Sequence, residues 1–171
     1  VVGRSSVPVI TSTGEQTLSE GAVKRCRYDR ILLATDGSAG VTAATDNAIA
    51  LADAYDADLH AIYVIDDRHA SVGTRSGGEP TIEAELRERG HEATTEIAAR
   101  AEAAGVPVTE VIERGVPSQT ITRYADSAEI DLIAIGASGR GGFRQKVTGS
   151  VADRVVRLSR VPVLTARTSG E

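Results

Sequence analysis

The chain has no Trp and no Met, one Phe and four Tyr, so aromatics make up only 3% of its 171 residues. A core built without them must come from Val, Ile, Leu and Ala. The same scarcity excludes an aromatic stacking platform for single-stranded nucleic acid. A single cysteine, Cys26, excludes an internal disulfide and a thiolate metal cage, and it reads as an incidental thiol. Lysine is nearly missing: of 19 basic residues only Lys24 and Lys146 are lysines. Against 24 acids the net charge is −5, and no basic stripe suited to a phosphate backbone is visible. An acidic, lysine-poor composition fits a high-salt cytoplasm and a GC-rich coding sequence equally well. No apolar run approaches the roughly 18 residues of a membrane span. The first residues lack the basic stretch and apolar run of a signal peptide. The expectation is a cytoplasmic protein with no nucleic-acid and no membrane partner.

What is present points to one domain. Hydrophobic residues are 41% and charged residues 25%, ordinary for a globular chain. Residues 1–27 are rich in Ser, Thr and Gly and show no sustained period, so they read as a mobile leader; a docked edge strand at 7–11 is the lesser alternative. From Tyr28 to Arg167 apolar runs alternate with helical periods, and residues 168–171 are a tail. The runs are Ile31–Ala34, Leu59–Ile65, Val106–Ile112, Asp131–Ile135 and Val161–Thr165. Between them, Ala44, Ala48, Leu51, Ala52 and Tyr55 share one helix face, and Ile82, Leu86, Ala93, Ile97, Ala101 and Ala104 mark a long helix that Gly90 weakens. Ser38 is a candidate helix cap, Gly105 a helix stop, and Pro117 a helix start. Asp66 to Pro80 reads as a loop. Five strands separated by helices imply right-handed crossovers and a parallel sheet covered on both faces, a doubly wound α/β domain. No second domain and no internal repeat are read.

In such a sheet a ligand binds beyond the carboxyl ends of the strands. Two loops leave those ends with unusual composition. The first is Thr35-Asp36-Gly37-Ser38; the second runs Gly136-Ala137-Ser138-Gly139-Arg140-Gly141-Gly142 and closes at Gly149-Ser150, before a helical stripe of Val151, Val155 and Leu158. Glycines let backbone N–H groups approach phosphate oxygens, and a helix start adds unpaired donors. Ser150 adds a hydroxyl and Arg140 a charge. Asp36 suits a ribose hydroxyl or a phosphate-bound Mg2+, or it is a turn residue. The P-loop pattern, a dinucleotide GxGxxG after the first strand, a nucleophile elbow and metal-ligand spacing of His60, His69 and His91 are all missing. The acids Glu83, Glu85, Glu88, Glu92 and Glu96 read as a solvated helix face.

Gly136, Gly139, Gly149 and Ser150 fit the spacing G-x2-G-x9-G-[ST], which resembles the motif of the universal stress protein family. The opening YDRILLATDGS, the run IYVID and the closing SVADRVVRLSRVPVL are similar to the family's first two strands and its last helix and strand. The resemblance covers roughly residues 28–167 and implies strand order 3-2-1-4-5. It also implies an ATP-binding crevice. There Thr35 and Asp36 flank the adenosine and its ribose or metal, the Val64 backbone meets the adenine edge, and Ile135 packs nearby. Gly136, Gly139, Gly149, Ser150 and Val151 hold the phosphates, with Arg140 a compatible basic residue. Ala137-Ser138 departs from the polar pair that many members carry. The family further implies a homodimer through Val161–Thr165, with Pro162 removing one donor from that edge. The implied role is an ATP-binding regulatory module of the stress response with slow or no hydrolysis. The alternatives are a slow Mg2+-dependent ATPase and a dimerisation module that binds no nucleotide.

Overall fold

Ile31-Leu32-Leu33-Ala34 is apolar without alternation, and in the computed structural model, which describes residues 9–11, 28–70, 82–137 and 150–167, all four are buried. They lie in β2 (Arg30–Thr35). Side chains alternate across a strand, so Ile31 and Leu33 enter one core and Leu32 and Ala34 the other. Burial on both sides is why the run is continuous. The remaining elements are β1 (Val9–Thr11), a 3-10 turn (Ala39–Val41), α1 (Thr42–Tyr55), β3 (Asp58–Asp66), α2 (Asp67–Ala70), α3 (Ile82–Ala103), β4 (Val108–Gly115), α4 (Pro117–Ser127), β5 (Leu132–Gly136), α5 (Ser150–Leu158) and β6 (Val163–Ala166).

The sheet runs β1-β6-β5-β2-β3-β4. β2 through β6 are mutually parallel, and counted from β2 their order is the expected 3-2-1-4-5. On one face α1 and α3 pack through Ala44, Ala48, Ala52, Ile97 and Ala101. Three alanines four residues apart let α1 lie close to the strands. On the other face α4 and α5 pack through Ile121, Ala125, Ala152 and Val155. At the amino end of the sheet the Asp131 carboxylate accepts from the backbone N–H groups of Asp29 and Arg30, at 2.8 and 2.9 Å, and so ties the starts of β2 and β5 together.

Four expectations are corrected. Val9–Thr11, inside the expected mobile leader, forms β1, antiparallel to β6. The edge that the resemblance assigned to pairing with a second subunit therefore carries β1. The third expected strand begins at Val108 rather than Val106 and runs to Gly115, whose φ of +145° turns the chain into α4. Within the expected 66–80 loop, Asp66 completes β3 and 67–70 are the short helix α2; residues 71–81 lie outside the described residues. Finally, Gly90 is no weak point. It lies buried on the inner face of α3, where an added Cβ would sit 2.8 Å from Cδ1 of the Tyr63 ring.

Candidate functional site

β2, β3 and β5 end side by side, since Thr35 is level with Tyr63 and Ala34 with Ile135. This register brings Thr35, Asp36, Val64, Ile135 and Gly136 to one end of the sheet. After β2 the chain reverses through Gly37, whose φ is +71°, a conformation that costs an L side chain roughly 1–2 kcal/mol. Two side chains close the turn. Thr35 Oγ1 accepts from the Gly37 N–H at 3.1 Å, and Asp36 Oδ1 accepts from the Ser38 N–H at 3.0 Å. Asp36 Oδ2 has no hydrogen-bond partner among the described residues. Ser38 precedes the 3-10 turn but makes no side-chain cap bond; its Oγ is buried with no hydrogen-bond partner among the described residues. A buried hydroxyl left unmatched costs about 1–3 kcal/mol, so this one fits an external oxygen or N–H.

Gly136 explains how the two loops come together. An added Cβ would stand 2.8 Å from the Gly40 carbonyl oxygen and 3.3 Å from Val41 Cα. The end of β5 is thus seated against the 3-10 turn that follows Ser38. The residue after it, Ala137, is buried and donates its N–H to the Ala166 carbonyl at 2.8 Å. The departure from the family pattern at that position is accommodated in the core. Ile135 is buried, Val64 is partly buried against the α4/α5 core, and Val151 packs on the same core from the first turn of α5. Ser150 is the first residue of α5. Gly139, Arg140 and Gly149 lie outside the described residues.

A cleft of about 420 Å³ opens from this turn toward α3. Thr35, Asp36 and Ser38 line one wall, and Arg89, Glu92 and Glu96 line the other. The sequence reading assigned Glu92 and Glu96 to a solvated face and passed over Arg89. Their spacing with Ala93 and Arg100, at i, i+3, i+4, i+7 and i+11, places them on one helix face, which is the signal that could have found them. Arg100 pairs with Asp46 on α1, whereas Arg89 has no ion-pair partner among the described residues. No cluster of three metal-ligating side chains occurs among the described residues.

His60 stands apart from the cleft. Its Nδ1 is 2.8 Å from the Tyr124 hydroxyl, and burial, the largest influence, lowers its pKa below the usual histidine value. Burial likewise raises the Tyr124 hydroxyl. The pair is a satisfied polar contact under α4. Among the described residues no helix is long and apolar enough to cross a membrane.

The model of the universal stress protein family matches residues 27–167. Universal stress protein MJ0531 of Methanocaldococcus jannaschii is 37% identical over 142 residues, which is 82% of each chain. Among solved structures, protein MJ0577 superposes with a TM-score of 0.75 at 26% identity, over 84% of this chain and 99% of the other. A universal stress protein in complex with cAMP superposes with a TM-score of 0.62 at 26% identity, over 84% of this chain and 99% of the other. The matched span runs from just before β2 to the end of β6 and holds the whole parallel sheet with its site turn, and so the chain belongs to the universal stress protein family.

Proposed function

We propose that the end of the sheet where β2 and β5 meet binds an adenine nucleotide, with ATP the ligand the glycine motif implies. The protein then acts as a nucleotide-responsive regulatory module rather than a dedicated enzyme. The observation that carries this reading is the seating of Gly136 on the turn that holds Asp36 and the unmatched Ser38 hydroxyl. Through it the first glycine of the phosphate motif and the acid of the first loop share one crevice. In this reading Asp36 takes the ribose or, through Oδ2, a phosphate-held Mg2+. Val64 and Ile135 meet the base, and Gly139, Arg140, Gly149, Ser150 and Val151 meet the phosphates. When bound, Mg2+ supplies charge neutralisation at the phosphates. Among the described residues Asp36 is the acid on the turn against Gly136, Glu92 and Glu96 stand on the opposite wall, and none of the three adjoins an activated nucleophile, which supports slow or no hydrolysis over a true ATPase.

The cAMP complex of the neighbouring structure favours a second reading, in which a cyclic nucleotide is the ligand. A homodimer through Val161–Thr165 uses an edge that β1 covers here, so it needs that strand to leave.

Isothermal titration of the full chain with Mg·ATP, ATP without Mg2+, and cAMP tests the reading. Gly139→Val and Gly149→Val block backbone approach, and each is expected to weaken ATP binding by about a hundredfold or more, roughly 2.7 kcal/mol. Asp36→Asn is expected to cost about tenfold with Mg2+ and little without it. ATP affinity unchanged in all three variants would contradict the site.

A further inference from the structure

The cleft between the β2 turn and α3 opens on the face of the sheet opposite the residues that would meet base and phosphates. Its apolar lining includes Val41 and Ile97, which belong to the core under α1 and α3. Ile135 belongs to the core under α4 and α5, and Val64 and Val151 pack against that core. The cleft and the meeting point of β2 and β5 share only the turn that holds Asp36. Its two walls touch at Gly37, where an added Cβ would stand 3.5 Å from Ala93 Cβ.

The charges of the cleft are not balanced. Asp36, Glu92 and Glu96 line it, and none has an ion-pair partner among the described residues. Glu96 and Arg100 stand at i and i+4, the order that favours an ion pair along a helix. Arg100 instead pairs across to Asp46 on α1. Glu92 and Glu96 are thereby left as like charges one turn apart, an arrangement that opposes the helix. Against the three carboxylates stands one lining cation without an ion-pair partner among the described residues, Arg89.

The neutral groups have the same bias. The Thr42 hydroxyl donates to the Ala39 carbonyl at 3.0 Å, and the Thr45 hydroxyl donates to the Val41 carbonyl at 3.1 Å. A hydroxyl has one hydrogen, so each has only lone pairs to offer a ligand. The Ser38 Oγ, on the other wall, is buried with no partner among the described residues and can accept as well. An ammonium group is the complement of such a lining: it carries three donors, no acceptor and a positive charge.

Among the described residues no three metal-ligating side chains form a cluster able to hold one ion. Carboxylates spread around about 420 Å³ instead suit charges carried at intervals along one molecule. Val41, Ala93 and Ile97 suit methylenes between those charges. We propose that the cleft between the β2 turn and α3 binds an aliphatic polyamine, a methylene chain bearing two or more ammonium groups. Glu92 and Glu96 hold one ammonium group, and Asp36 with the Ser38 Oγ holds another. Binding relieves the like-charge pair on α3, gives the Ser38 oxygen a donor and ties the β2 turn to α3. Arg89 opposes the ligand and keeps the site weak. Arg89, Glu92 and Glu96 are exposed, so binding falls as salt rises.

Isothermal titration of the full chain with spermidine, at low ionic strength and without nucleotide, tests this. One spermidine is expected to bind per chain. Glu92→Gln and Glu96→Gln are each expected to weaken binding about threefold, and the double variant about tenfold, as for exposed charge pairs. Arg89→Gln is expected to tighten binding about threefold. Glu102→Gln makes the same charge change on α3 outside the cleft and is expected to bind like the wild type. Neither Glu92→Gln nor Glu96→Gln is expected to lower the melting temperature, since each removes a like-charge contact. Ethylamine, with a single ammonium group, is expected to bind at least tenfold more weakly than spermidine. No binding at millimolar spermidine would overturn the proposal. So would a loss in Glu102→Gln equal to that in the cleft variants, which would mean general attraction to an acidic chain, or an Arg89→Gln variant that binds more weakly than the wild type. The assay contains no nucleotide, so a failure of the nucleotide site leaves its outcome unaffected.

Discussion

Replacing Gly136 with alanine is expected to lower the melting temperature by about 5–10 °C and ATP affinity by about tenfold or more. The added methyl would meet the Gly40 carbonyl at 2.8 Å and Val41 at 3.3 Å from both Cα and Cγ2. Two of those atoms are backbone, and the third belongs to a buried β-branched side chain with one strongly preferred rotamer. None can rotate away, so the 3-10 turn must back off. The Val41 N–H bonds the Ser38 carbonyl at 3.1 Å, so displacement of that turn moves Ser38, and Asp36 with it. Overpacking of this kind costs about 1–3 kcal/mol, sometimes more. Gly105→Ala is the control. Its φ is +76° but nothing lies within 4 Å of the new methyl, so only the left-handed backbone cost of about 1 kcal/mol applies and ATP binding stays as in the wild type. Thermal melts and titrations of both variants separate the two causes. If Gly136→Ala melts like the wild type, the seating of β5 on the turn is wrong.

Gly90→Ala is expected to destabilise the protein although alanine is the better helix former. Helix propensity alone favours the change by about 1 kcal/mol. Against that, the methyl would lie 2.8 Å from Cδ1 and 3.2 Å from Cγ of the buried Tyr63 ring. An aromatic ring held between a sheet and a helix cannot yield without moving one of them. The net cost is about 1–2 kcal/mol, seen as a fall in melting temperature of about 2–8 °C. In a Tyr63→Ala background Cγ, Cδ1 and the rest of the ring are gone, and the same substitution is expected to raise the melting temperature by about 1–4 °C. A double-mutant cycle reads the sign change directly. A loss of equal size in both backgrounds would mean that the ring is not what excludes the side chain.

These two glycines show where the sequence was legible and where it was not. The strands of the core, the crossovers and the stop at Gly105 follow from local signals: continuous apolar runs, a 3.6 period and residues with special backbone freedom. Gly136 was singled out as a place where a phosphate could approach. That it also receives the Gly40 carbonyl depends on a pairing between β2 and β5, which no local pattern reports. Gly90 looked like a weak spot because helix propensity is local, whereas its partner Tyr63 lies on β3. Asp36 was found by position after the first strand, but the unmatched Ser38 hydroxyl beside it was read as a helix cap. Arg89, Glu92 and Glu96 form a visible helical face, yet a helical face does not say what it overlooks.

The most direct test of a nucleotide site at the meeting of β2 and β5 is the nucleotide content of the full chain purified without added nucleotide. Heat denaturation followed by ion-exchange chromatography of the supernatant reads that content. About one adenine nucleotide per chain is expected, with ATP the main species and the yield lost in Gly149→Val. A chain that carries none and that also fails to bind added Mg·ATP or cAMP would contradict the account.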